Sequence, residues 1–206
     1  LLAARGWEFA FVPLTDKYES FVGFSAILLA VASWRYELLA RPGRVLLALT
    51  ALGFLGATLA FDDGLRYAPP LMITVWYPAH VPLSFVGYAL WIAAAADGLD
   101  YALGAATRSE FRRRQEGDVR LGLMAFSVSM LMGAVWGIVS WGAYFLWDAK
   151  VLWSLAAWLF YATFAHVRYW PVPPGRGRVI LGGIGFVVVL VTYVGTSFMT
   201  GSIHSF

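Results

Sequence analysis

The sequence predicts an all-α integral membrane protein, a polytopic helical bundle with about six transmembrane helices. Of its 206 residues, 60% are hydrophobic and only 13% are charged, and the mean hydropathy is +0.70. A water-soluble domain with this composition would expose large apolar patches, so we expect its main solvent to be lipid. Because lipid offers no hydrogen-bond partner to an open sheet edge, the spanning elements are predicted to be helices.

Six apolar stretches are separated by short polar breaks. A helix needs about 20 residues to cross the roughly 30 Å hydrocarbon core of a bilayer. The spans are predicted at residues 18–39, 45–61, 81–103, 121–141, 151–169 and 179–198. No internal repeat or low-complexity segment divides them, so we expect a single membrane domain over residues 1–206.

The basic residues predict the orientation of the bundle. Of the 15 Lys and Arg residues, 11 fall in the breaks after spans one, three and five. Cytoplasmic loops are enriched in Lys and Arg, so we expect these breaks in the cytoplasm and both chain ends outside, in a bacterial plasma membrane or its equivalent. The arginines at 112–114 are expected to anchor the interface, with a lipid-phosphate site as the alternative. The net charge of +3 is too small to indicate a nucleic-acid partner.

Three separated segments carry residues suited to ligand binding. His80 lies at the predicted outer mouth of span three, and His204 follows span six. Between spans four and five, the segment at about 136–153 holds four of the ten tryptophans. Tryptophans commonly gather at membrane interfaces, and a lone interfacial histidine is usually hydrated. The prediction of a site therefore depends on convergence, since the Lys and Arg pattern alone places all three segments on one face.

Haem is the cofactor that this combination favours. Haem iron takes axial imidazole ligands, and the porphyrin buries its faces against apolar, planar side chains. Lys150 or Arg66 offers a cation to the propionates. The sequence has no cysteine, which excludes disulfides, iron–sulfur clusters and thiolate zinc sites. A zinc or copper site built from the same histidines is the alternative, but it would be short of ligands.

The third histidine, His166, falls inside span five, toward its predicted cytoplasmic end. Ionisable side chains within a membrane are costly, so they are candidates for function. The alternative is a side chain that reaches the headgroups beside Arg168. Both interpretations remain open, and a bis-histidine haem at this level would need a ligand from another chain.

Residues 141–153, WGAYFLWDAKVLW, resemble the WGxYWxWDPKETW signature of the tryptophan-rich "WWD" family, whose members handle haem in cytochrome c maturation. The likeness extends over nearly the whole chain. Residues 17–20 resemble the family's NxYES segment, 80–82 its first external histidine segment, 166–168 its LHTR and 201–206 its GLHSY. The CcsA/ResC type of system II is the nearest branch, and the CcmC haem-delivery protein of system I is second.

The resemblance implies specific roles for residues and partners. Haem b is expected to be ligated by His80 and His204 and presented over a platform of Trp136, Trp141, Trp147 and Asp148. His166 is expected to ligate a second haem within the membrane, opposite a ligand from a CcsB/ResB-type membrane subunit. The family attaches haem to the CxxCH cysteines of apocytochrome c, and we expect synthase (haem lyase) activity only together with that partner.

The signature is changed at four positions. Phe145 replaces a tryptophan, Ala149 a proline, and Val151-Leu152 a Glu-Thr pair. All three histidines are retained, which favours haem binding over a vestigial scaffold. The alternative function is a haem b electron-transfer subunit of a respiratory complex that oxidises quinol on the same scaffold, and a transporter without haem is a third possibility.

Overall fold

The computed structural model describes residues 11–64, 67–169 and 175–199, together with Leu2 and Gly6. The described residues form helices and connecting turns, without a strand. Six α-helices follow one another: α1 Lys17–Trp34, α2 Arg41–Ala57, α3 Tyr77–Ala102, α4 Arg108–Trp141, α5 Ala149–Ala165 and α6 Arg176–Tyr193. Short 3-10 turns lie at Thr58–Ala60, Pro70–Met72, Val167–Tyr169 and Gly195–Phe198. The predicted all-α bundle is confirmed.

Four of these helices are long and apolar enough to cross a membrane, some of them together with a terminal 3-10 turn: Arg41–Ala60, Tyr77–Ala102, Arg108–Trp141 and Arg176–Phe198. Helix α5 is apolar but shorter. Helix α1 carries Lys17 and Glu19 in its first turn, which lowers its mean hydropathy. The chain is therefore an integral membrane protein.

Two helices begin well before the predicted spans. Helix α3 begins at Tyr77, where Pro78 suits the first turn because that turn needs no intrahelical N–H donor. Helix α4 begins at Arg108, after a capping box in which Glu110 N–H donates to Thr107 Oγ1 (3.4 Å) and Thr107 N–H donates to Glu110 Oε2 (3.0 Å). Hydropathy marks the part of a helix that suits lipid, whereas capping residues mark where the helix starts.

Helix α3 is the centre of the bundle and packs against α1, α2, α4 and α6. Its four consecutive alanines, 93–96, are buried and let neighbouring helices approach closely. Trp91 of α3 stacks on Tyr161 of α5, with ring centroids 3.7 Å apart and an interplanar angle of 5°. A side chain at Gly122 of α4 would collide with Trp91, so a glycine is needed where this indole passes.

One end of the bundle is held by a charge network of Arg35, Asp97, Arg114 and Asp118. Arg35 donates to Asp118 at 2.7 Å and lies 3.4 Å from Asp97. Arg114 Nε lies 3.3 Å from the other Asp97 oxygen. These pairs join the carboxyl ends of α1 and α3 to the amino-terminal part of α4. Arg114 is thus an ion-pair partner rather than only a solvated anchor.

The other basic breaks meet at the same end of the bundle. Arg178, in the first turn of α6, pairs with Glu116 of α4 at 3.0 Å. Asp100 of α3 accepts hydrogen bonds from the N–H groups of Ala40 (2.7 Å) and Gly43 (2.6 Å) and so caps α2. We call this the arginine-rich end. The aromatic segment between α4 and α5 lies at the opposite end.

Candidate functional site

Two adjoining cavities lie at the end of the bundle opposite the charge network. The first, of about 130 Å³, extends between α1, α3, α4, α5 and α6, and we call it the histidine cavity. The second, of about 170 Å³, lies under the connection between α4 and α5, and we call it the loop cavity. Since both are lined by His80, Met130, Trp136, Lys150 and Ser154, they are two lobes of one site.

The imidazole of His80 is oriented by Ser129 of the neighbouring helix α4. Its Nδ1 lies 2.8 Å from the Ser129 carbonyl oxygen, and Ser129 Oγ donates to the His80 carbonyl at 2.8 Å. Ser129 Oγ also lies 3.0 Å from Nδ1. A carbonyl only accepts, so the neutral ring has its proton on Nδ1 and its lone pair on Nε2. Metal-ligating histidines in proteins characteristically donate their other ring N–H in this way.

Gly133 and Trp136 complete the surface of α4 that faces His80. A Cβ atom added at Gly133 would lie 2.7 Å from His80 Cε1, so the ring packs directly on the helix backbone. The Trp136 ring stacks with the imidazole, with centroids 6.1 Å apart at an angle of 29°. Ser129, Gly133 and Trp136 follow the i, i+4, i+7 spacing of one helix face. This spacing is the signal that identifies Ser129 and Gly133, which sequence reasoning missed.

Two tryptophans at the end of α4 line the site, Trp136 in both cavities and Trp141 in the loop cavity. Trp136 Nε1 donates to the Leu71 carbonyl at 2.8 Å. Trp141 packs edge-on against Trp136 with centroids 4.7 Å apart. Gly142 then ends α4 in the left-handed conformation, with φ of 73°. The chain turns back here, and the backbone of Ala143 packs so closely on Gly137 that a side chain there would collide with it.

The remaining two predicted platform residues occupy other positions. The Trp147 side chain is 86% exposed, lies outside the linings of both cavities and packs edge-on against Phe145. Asp148 is buried and caps α5, since its Oδ2 accepts the Lys150 N–H at 3.1 Å. The structure therefore brings Trp136 and Trp141 together with His80, but it does not bring Trp147 to the cavity wall.

A second predicted histidine ligand, His166, lies away from this arrangement. His166 is the carboxyl-terminal cap of α5, and its exposed ring bonds through Nδ1 to the Ala162 carbonyl at 2.7 Å. It lies about 24 Å along α5 from Lys150, at ~1.5 Å rise per residue. His166 is thus near the arginine-rich end, outside both cavities. His204 and Arg66 lie outside the described residues.

Two lysines contribute positive charge to the histidine cavity. Lys150 is in the first turn of α5, and Lys17 is the first residue of α1. The start of α1 is fixed by a network of caps, in which Asp16 accepts the Glu19 N–H and Glu19 accepts the Thr15 N–H, each at 2.8 Å. Lys150 was predicted from the sequence as a partner for propionates, whereas Lys17, which lines the same cavity, was not named.

The bundle is thus a polytopic membrane protein with a histidine- and tryptophan-lined site at one end. A family described as "Cytochrome C assembly protein" matches residues 17–204. The chain belongs to this family, which confirms the predicted likeness to CcsA-type proteins and a role in cytochrome c assembly.

Individual relatives agree with this assignment. "Cytochrome c biogenesis protein CcsA" of Parasynechococcus marenigrum (strain WH8102) is 26% identical over 249 aligned residues, which cover 100% of this chain and 81% of the relative. CcsA of Synechococcus sp. (strain WH7803) is 25% identical, with 100% and 80% covered. CcsA of Trieres chinensis is 35% identical over 88 residues, which cover 43% of this chain and 28% of that protein.

Proposed function

We propose that this chain is the haem-binding membrane subunit of a system II cytochrome c assembly complex. In this proposal it presents haem b at the non-cytoplasmic face for attachment to the CxxCH motif of apocytochrome c. The observation that carries the proposal is the geometry of His80, whose Nδ1 is bonded to the Ser129 carbonyl at 2.8 Å. This bond gives Nε2 the lone pair that an axial haem ligand needs.

The dimensions of the site bear on how haem fits. Each cavity is smaller than the roughly 300–1,000 Å³ of a typical small-molecule pocket. The porphyrin would therefore extend through both lobes, across their shared wall at His80 and Trp136. Flat rings on that wall match the faces of a porphyrin. Binding is expected to move the connection 142–148 outward, because this segment covers the loop cavity.

In this arrangement His80 and His204 would ligate the iron, while Trp136 and Trp141 pack against the ring. Bound haem supplies the vinyl groups to which the cysteine thiols of the apocytochrome add. The protein residues hold the ring in place and exclude water from it. Trp147 is exposed on the connection between α4 and α5 and lies outside both cavity linings, so we assign it to contact with apocytochrome c rather than to the haem platform.

The proposal includes an orientation and a partner subunit. Cytoplasmic loops are enriched in Lys and Arg, so the arginine-rich end would face the cytoplasm and the haem cavities the opposite side. His166 is exposed near the arginine-rich end, where a helix of a CcsB/ResB-type subunit can approach it. There it would provide one ligand of a second, intramembrane haem.

Maturation of a reporter cytochrome tests this function. The chain is co-expressed with a CcsB/ResB-type partner and a CxxCH apocytochrome in a bacterium without its own assembly system, and covalent haem on the reporter is measured. We expect His80→Ala to abolish maturation and added imidazole to restore part of it in His80→Gly. Leu131→Ala is the control. Leu131 lies on α4, the helix whose Ser129 orients His80, but it is 69% exposed.

The outcomes separate the two functions considered for this scaffold. Mature reporter at the wild-type level in His80→Ala would contradict the proposal. Wild-type protein that retains its haem through repeated redox cycles and leaves the reporter unmodified would instead support the electron-transfer function, since a haem used for assembly has to leave its site.

A further inference from the structure

The sequence contains only two lysines, Lys17 and Lys150, since its other 13 basic residues are arginines. Both lysines line the histidine cavity. They come from helices that are far apart in the sequence, because Lys17 begins α1 and Lys150 lies in the first turn of α5. The fold thus brings every lysine of the sequence to the cavity that contains His80.

The two ammonium groups meet at the short turn Gly195–Phe198 that follows α6. Lys150 Nζ lies 3.4 Å from Ser197 Oγ. Lys17 Nζ lies 5.6 Å from the centroid of the Phe198 ring. Since Ser197 and Phe198 are consecutive residues, both charges lie on the same side of the cavity. The two side chains are half-buried, so each charge is partly removed from water.

Neither lysine forms an ion pair in the part of the chain that the structure describes. The Asp148 carboxylate is close enough to attract the Lys150 ammonium group. The Lys17 ammonium group repels that of Lys150. Partly desolvated charges of like sign are unfavourable unless an opposite charge joins them. The lining of the histidine cavity carries these two lysines and one carboxylate, Asp16, so its charge favours a ligand with negative groups.

We propose that Lys17 and Lys150 form a dicarboxylate subsite that holds the two propionates of haem while His80 ligates the iron. This inference rests on the proposed haem-binding function. Both propionates lie on one edge of the porphyrin, as both lysines lie on one side of the cavity. Lys150 lines both cavities, whereas Lys17 lines only the histidine cavity. The opposite, vinyl-bearing edge would then extend past Lys150 toward Trp141 in the loop cavity. That is the edge at which apocytochrome cysteines react.

The test compares haem with its dimethyl ester, in which both propionates are uncharged. Absorbance titrations in detergent measure the affinity of each ligand for the wild-type protein, Lys17→Met, Lys150→Met and the double variant. Methionine keeps the length of the side chain and removes its charge. We expect haem to bind about tenfold more weakly for each lysine removed, as for the loss of one charge-assisted hydrogen bond. Affinity for the ester should be unchanged, which also shows that the variants are folded.

Two controls separate this inference from the haem site itself. Arg176→Met removes one exposed charge at the other end of the bundle and should leave both affinities unchanged. His80→Ala should weaken haem and ester alike. Equal haem affinity in wild type and in the double lysine variant would overturn the lysine subsite while leaving the haem site intact. Failure of the wild-type protein to bind either ligand would overturn both proposals.

Lysine acetylation gives an independent measurement. With two lysines in the sequence, mass spectrometry reads the reaction of each one directly. Haem should protect both Lys17 and Lys150, and the dimethyl ester should protect them less. An anionic phospholipid headgroup offers similar negative charge, so the same reaction is run in phosphatidylglycerol and in phosphatidylcholine vesicles without haem. Equal protection by phosphatidylglycerol and by haem would contradict a subsite for propionates.

Discussion

Replacement of Gly133 by alanine tests whether α4 fixes the imidazole of His80. The added Cβ would lie 2.7 Å from His80 Cε1 and 2.9 Å from Nδ1. Non-bonded carbon atoms normally stay about 3.5–4.0 Å apart, so the ring has to move by roughly 0.8 Å or more. A displacement of this size away from α4 stretches the 2.8 Å bond between Nδ1 and the Ser129 carbonyl. The stretched bond would exceed the usual limit of about 3.2 Å.

The expected magnitudes differ for stability and for haem binding. Overpacking costs about 1–3 kcal/mol, and the replacement of a helical glycine by alanine returns about 0.5–1 kcal/mol. The free energy of unfolding should therefore fall by no more than about 2.5 kcal/mol. Haem affinity should fall about 10–100-fold, as it does when the residue that orients a metal-ligating histidine is disturbed.

Gly117→Ala is the matched control on the same helix, because a Cβ at Gly117 meets no atom within 4 Å. It should raise the free energy of unfolding by about 0.5–1 kcal/mol and leave haem affinity unchanged. Thermal unfolding of the apoprotein in detergent and absorbance titration with haem measure the two quantities. Wild-type haem affinity in Gly133→Ala would refute the packing of His80 against this helix.

Three further predictions follow from single contacts. Arg35→Leu leaves Asp118 buried without its 2.7 Å partner, so the free energy of unfolding should fall by about 3–5 kcal/mol; a loss below 1 kcal/mol would show that the charge network is not stabilising. Ser129→Ala removes the Oγ bond to the His80 carbonyl and the 3.0 Å contact between Oγ and Nδ1 but keeps the carbonyl that accepts from Nδ1, so it should lower the free energy of unfolding by about 0.5–1.5 kcal/mol and lower haem affinity less than Gly133→Ala. Ala149→Pro should raise stability by about 0.4–1 kcal/mol, because the position begins α5 and the preceding residue is extended (φ −106°, ψ 148°); a lower melting temperature would contradict this.

Hydropathy predicts the class of fold because lipid constrains composition over whole helices. The pattern of Lys and Arg also predicts which breaks meet at one end, since those residues are kept at a shared boundary of the membrane. Hydropathy does not locate the helix starts at Tyr77 and Arg108. Those starts depend on Pro78 and on the Thr107 capping box, which lie in polar segments where hydropathy carries no information.

The site could be predicted only where the residue type is itself distinctive. His80, Trp136 and Trp141 have side chains suited to haem, and the structure places them together. Ser129 and Lys17 are ordinary residues whose roles come from distances between helices. Such distances cannot be read from one sequence.

Two positions show that the sequence signature does not separate roles in binding from roles in folding. Trp147 is nearly fully exposed, although its residue type matches that of the two tryptophans in the cavity wall. Asp148 immediately precedes an apolar run and caps α5, a placement that an aspartate in front of a helix already indicates.

The haem content of the purified complex tests the central claim most directly. The chain is isolated with its CcsB/ResB-type partner as wild type, His80→Gly and His166→Ala, and haem per complex is measured together with the absorption spectrum. We expect a bis-histidine spectrum in the wild type, loss of the outer haem in His80→Gly, and partial recovery of that haem with imidazole. The His166→Ala variant should lose the intramembrane haem. Wild-type haem content and an unchanged spectrum in His80→Gly without imidazole would contradict the assignment of His80 as a haem ligand.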